Sequence, residues 1–62
     1  MRSEKEIKDK ITELQKLVMH ETEIIEEYVK NDDWGFADIH MNLGNSYKNQ
    51  IYYLQWVLGE VD

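Results

Sequence analysis

The sequence predicts an all-α fold, an antiparallel two-helix hairpin that associates into a four-helix bundle or a higher helical oligomer. Three observations carry this. The 62 residues include no proline, and the three glycines stand at positions 35, 44 and 59, so long helices run free of the strongest breaker. Apolar residues recur at alternating steps of three and four through two long segments, with a short run of turn formers between them. A chain this short buries only about 60% of the surface its unfolded form exposes. With no cysteine to supply disulfides or thiolate zinc sites, oligomerisation is the remaining route to a sufficient core.

Ser3, Glu4, Lys5 and Glu6 have the Ser-x-x-Glu form of a capping box, in which hydroxyl and carboxylate satisfy free backbone donors at a helix start. Helix 1 is predicted over about residues 4–30. Its seam is Ile7, Ile11, Leu14, Val18, Ile25 and Tyr28, widened by Leu17, Ile24 and Val29. Glu21 fills the one missing seam position. Either it is a buried polar residue that fixes register, or the helix shifts phase, Thr22 turns inward and Glu21 is solvated. Glu4 with Lys8, Glu6 with Lys10 and Glu26 with Lys30 form favourable i,i+4 pairs on the outside.

Lys30 to Gly35 interrupt the pattern with Asn31, Asp32 and Asp33, the last placed to cap a second helix. A turn over about 31–33 is so short that the helices must be antiparallel neighbours. Helix 2 is predicted over about 34–59, with Ala37, His40, Gly44, Tyr47, Ile51, Leu54, Leu58 and Val61 facing helix 1 and Gly59 as its stop. Trp34, Met41, Tyr52 and Trp56 share a narrow sector roughly opposite that face. A lone hairpin cannot bury both faces, so these four residues are the expected interface with a second copy or another partner. The alternative is that they cap the hairpin ends with partial exposure.

The formal charge of −6 is unevenly placed. Residues 2–16 hold five basic and four acidic side chains, whereas residues 20–38 hold seven acids against Lys30 alone. Glu23, Glu26, Glu27, Asp32, Asp33 and Asp38 gather at the turn as an acidic patch suited to steering toward a basic surface on a protein partner. Nucleic acid is disfavoured, because phosphate binding needs clustered Lys and Arg. No apolar run is long enough for a membrane span, and the charged opening from Met1 to Lys5 is unlike a signal peptide, which points to the cytoplasm.

No glycine-rich phosphate loop, nucleophile elbow or metalloprotease helix motif is present, so no catalytic residue or cofactor is assigned and the chain reads as a non-enzyme. His20, Glu23 and Glu27 share one helix face at i, i+3 and i+7, a spacing that suits a solvated polar face better than a metal site. His40 in the seam reads as a hydrogen-bonded core histidine.

The length, the hairpin and the paired apolar stripes resemble the Rop-like helical hairpins, which implies a dimeric antiparallel bundle and, from helix 1, an RNA-binding face. Lys5, Lys8 and Lys16 are interleaved here with Glu4, Asp9 and Glu13. Asp33 and Trp34 opening a helix that closes with Leu54, Gln55, Trp56, Val57, Leu58 and Gly59 are similar to short helical-hairpin proteins of phages and their bacterial hosts, over residues 31–59. That resemblance implies a small acidic binder that inhibits or modulates a host protein, for example a defence component. An RNA-binding regulator and a purely structural oligomerisation module are the alternatives.

Overall fold

The computed structural model describes residues 3–61, so the charged opening at Met1 and Arg2 lies outside the described residues. Two helices, α1 over Glu4–Lys30 and α2 over Trp34–Val57, pack side by side into a rod of 44 × 19 × 16 Å.

Each helix end is closed by local chemistry. At the start of α1 the Ser3 hydroxyl oxygen accepts from the Glu6 N–H at 3.2 Å, and the hydroxyl donates to the Glu6 carboxylate at 3.3 Å. The first bond satisfies a free backbone donor of the opening turn, and the second ties the two capping-box side chains to each other. At the other end Asn31 is the cap, and its side-chain amide donates to the Glu27 carbonyl at 3.0 Å. Asp32 then turns left-handed at φ 56°, its N–H reaching the Val29 carbonyl at 3.1 Å while the Asp33 N–H reaches that of Tyr28 at 2.8 Å. This is the Schellman pattern, built here without its usual glycine. Asp33 also opens α2, its carboxylate accepting from the Phe36 N–H at 3.5 Å. One residue therefore ends the first helix and starts the second.

The far end repeats the pattern with glycine. Gly59 stands at φ 77°, its N–H bonded to the Trp56 carbonyl at 3.0 Å and the Glu60 N–H to that of Gln55 at 2.9 Å. Regular α2 thus closes at Val57, two residues before the expected 59, because Leu58 is the cap and Gly59 lies in the reversal after it.

The helices meet along the expected seams. Ile11, Leu14 and Ala37 are the buried apolar side chains among the described residues, and Gly44 is buried with them. Ile7, Val18, Ile25, Tyr28, Tyr47, Ile51, Leu54 and Leu58 are half-buried. Tyr28 is the hinge of the turn end, stacked against Phe36 with centroids 5.4 Å apart and against His40 at 5.5 Å. No large side chain among the described residues is completely shielded, so this core is thin. None of their helices is long and apolar enough to cross a membrane.

Candidate partner-binding surface

The seam contains one buried acid. Glu21, 7% exposed, sits where the apolar repeat of α1 skips a place, and its Oε2 accepts from His40 Nδ1 of α2 at 2.5 Å. Of the two readings left open by the sequence, the buried one is found. Thr22 stays exposed, its hydroxyl donating back to the Val18 carbonyl at 3.0 Å. Gly44 lies against the carboxylate stem, where a Cβ built on it would stand 3.8 Å from the Glu21 Cβ, an ordinary contact. A polar pair is thereby tucked into a two-helix seam with both partners satisfied.

The aromatic stripe of α2 is solvent-facing. Trp34, Tyr52 and Trp56 are 58%, 50% and 59% exposed, and Met41 is 37% exposed. At about 100° per residue the stripe lies roughly a third of a turn from the seam, on one flank of the hairpin and not straight opposite it. The surroundings of Met41 agree, because it lines a groove with Val18, Thr22, Ile25, Asn45 and Lys48, using both helices. The stripe is also long. Trp34 and Tyr52 are separated by roughly 27 Å of helix at 1.5 Å per residue, so Tyr52 and Trp56 form one end of it, Trp34 the other. Tyr52 touches Tyr53 edge-on at 6.4 Å.

A second apolar flank, on the other side of the hairpin, was missed by sequence reasoning. Phe36, Ile39 and Leu43 follow one another at steps of three and four and are 53%, 59% and 38% exposed. Phe36 rests on Tyr28, and α1 positions 17 and 24 share the Tyr28 side of their helix, so half-buried Leu17 and Ile24 extend this flank across both helices. Farther along, a hollow of about 400 Å³ opens between Glu6, Ile7, Lys10 and Leu54. The signal was in the sequence: 36, 39, 43 is the seam repeat displaced by one residue, and the seam absorbed it.

Charge divides the rod lengthwise. At the open end the lysines of α1 are neutralised in place, Lys5 by Asp9 at 2.7 Å, Lys8 by Glu4 at 3.2 Å and Lys10 by Glu13 at 3.5 Å. Lys10 thus pairs forward to Glu13, where the sequence suggested Glu6. The Asp9 hydrogen bond and charge hold the Lys5 ammonium above the ordinary lysine value. At the turn end Glu23, Glu26, Glu27, Asp32 and Asp38 are exposed, whereas Asp33 is half-buried in its capping role. Lys30 meets Glu27 at 3.8 Å in place of the expected Glu26. Among the described residues no three His, Asp or Glu side chains gather around a point that could hold a metal ion, His20, Glu23 and Glu27 included.

The chain matches no protein-family model, no curated protein and no solved structure.

Proposed function

We propose that the chain is a non-enzymatic protein-binding module, of the inhibitor or modulator kind that its phage-like resemblance implies, which acts by covering a surface of another protein. The observation that carries the reading is the solvent-facing aromatic stripe, with both tryptophans more than half exposed. Tryptophan and tyrosine are among the residues most enriched in interface hot spots. The acidic turn end favours a partner with a basic surface, approached faster at low salt. The thin core supports a second element of the same proposal, that the hairpin completes its fold by pairing with another copy into a four-helix bundle.

The test compares the parent chain with Trp56→Ala and Trp34→Ala as immobilised baits in lysate of the source cell, followed by mass spectrometry and a purified binding measurement. A protein held by the parent is expected to be bound more than about thirtyfold more weakly by Trp56→Ala, at unchanged helical content. Equal retention by both variants, or a chain that pairs only with itself, overturns the binding-module reading.

A further inference from the structure

Three surfaces invite explanation: the aromatic stripe, the Glu21–His40 pair and the unanticipated flank of Phe36, Ile39 and Leu43. The flank is continuous with the seam through Tyr28 and carries both a projecting ring, the half-exposed Phe36, and a hollow on its own side.

The surface area first suggests what covers it. A monomeric protein of 7.5 kDa is expected to expose about 4,200 Å². This hairpin exposes 4933 Å². The excess, roughly 700 Å², approaches the roughly 800 Å² that each partner contributes to a stable interface. On the flank, apolar side chains from both helices lie together, as one half of a bundle core requires.

Charge then decides the direction. Residues 20–38, which form the turn end, hold seven acids and one lysine, so two copies laid turn to turn would set acid on acid. Laid head to tail, each acidic turn meets the other copy's self-neutralised open end.

Register selects the docking point. Glu21 faces His40 and Gly44, and Tyr28 faces Phe36, so the numbers of facing residues add to about 63. By that rule Phe36 is level with Glu27 and Leu54 with Asp9, and the level midway between them is that of Val18. A two-fold axis crossing the flank there, beside Leu17 and Leu43, brings Phe36 of each copy over the hollow between Ile7, Lys10 and Leu54 of the other.

We infer that this flank is the self-association surface, with two copies docked head to tail about a two-fold axis beside Leu17 and Leu43 and the exposed half of each Phe36 seated in the other's hollow. The aromatic stripe is left on the outside of the pair, open to a different protein. The inference rests on the reading that the hairpin completes its core by self-association, and it adds which face does so and in which direction.

Two measurements on the whole chain test it. Sedimentation equilibrium is expected to show a dimer for the parent. Leu43→Glu is expected to raise the dissociation constant at least about a hundredfold by placing a charge inside the interface, and Trp56→Glu to leave it within about threefold. The second measurement, independent of whether Leu43→Glu folds, uses Lys30→Cys carrying a spin label, in which the only cysteine stands beside the turn. Twelve residues from the axis at about 1.5 Å each give a separation between copies of roughly 36 Å in the head-to-tail pair. A parent that stays monomeric at millimolar concentration overturns self-association and this inference with it. A dimer lost in Trp56→Glu but kept in Leu43→Glu, or a label separation below about 20 Å, overturns the face or the direction while leaving self-association standing.

Discussion

Glu21 of α1 and His40 of α2 are joined by a 2.5 Å hydrogen bond within the helix seam, 19 residues apart along the chain. The carboxylate is nearly sealed, while the imidazole is partly open and stacks on Tyr28. A buried acid deprived of its donor keeps its desolvation penalty, so His40→Ala is expected to cost roughly 1–3 kcal/mol. Part of that loss comes from the Tyr28 stack, and the double-mutant cycle with Glu21→Ala separates the two. Denaturant unfolding of all four proteins should give a coupling of at least about 0.5 kcal/mol. Strict additivity would show that the pair does not stabilise the seam.

Gly44 is buried in the interior of α2, where glycine is usually a disadvantage. Its missing methyl would stand 3.8 Å from the Glu21 Cβ, an ordinary contact distance. Gly44→Ala should therefore stabilise the protein by about 0.5–1 kcal/mol through helix propensity. A loss instead of a gain in thermal unfolding would mean that the helices approach more closely than this spacing.

Asp32 adopts the left-handed conformation at φ 56°, where a side chain is strained and glycine is not. Its N–H already completes the cap, so Asp32→Gly keeps every bond of the turn. The variant is expected to gain up to about 1 kcal/mol, less the extra freedom glycine gives the unfolded chain. A lower melting temperature would indicate that the Asp32 carboxylate contributes more than its strain costs.

Glu23 and Glu27 stand four residues apart as like charges on α1, and Glu27 lies in the last turn, where the helix dipole disfavours it. Glu27 has a partial structural reason in its 3.8 Å contact with Lys30, but the pair is exposed and worth little. Glu23→Gln together with Glu27→Gln should leave the fold unchanged or slightly more stable. If the proposed function holds, stopped-flow association with a protein captured by the parent chain should be slower, with a flatter dependence on ionic strength. Identical rates at every salt concentration would leave the patch as solvated surface only.

The local features of this fold were legible because their causes lie within one helical turn. Ser3, Asp33 and Gly59 are read correctly from spacing alone, since each acts on a backbone group three to five residues away. The two seams follow from the apolar repeat for the same reason. Glu21 was different: whether it turns inward depends on His40, 19 residues away in sequence, which supplies its partner. The surfaces were legible in part. The tryptophans announce themselves by residue type, but Phe36, Ile39 and Leu43 were hidden beside a seam with the same period, and only their exposure separates flank from seam.

The double duty of Asp33 bears on how quickly this chain reaches its hairpin form and, on the proposed reading, becomes competent to bind. Its amide closes one helix and its carboxylate opens the next, so the reversal of direction depends on bonds between residues at most five positions apart. Contacts that short are made on the timescale of loop closure and helix growth, ahead of any encounter with another chain. The two arms are thus aligned early, and less conformational freedom remains to be surrendered at the moment of encounter than for a segment that folds on its target. Lengthening the turn by one residue would divide the two tasks of Asp33 between different positions, and the loss would register first as slower productive capture, before any change in the contacts finally made.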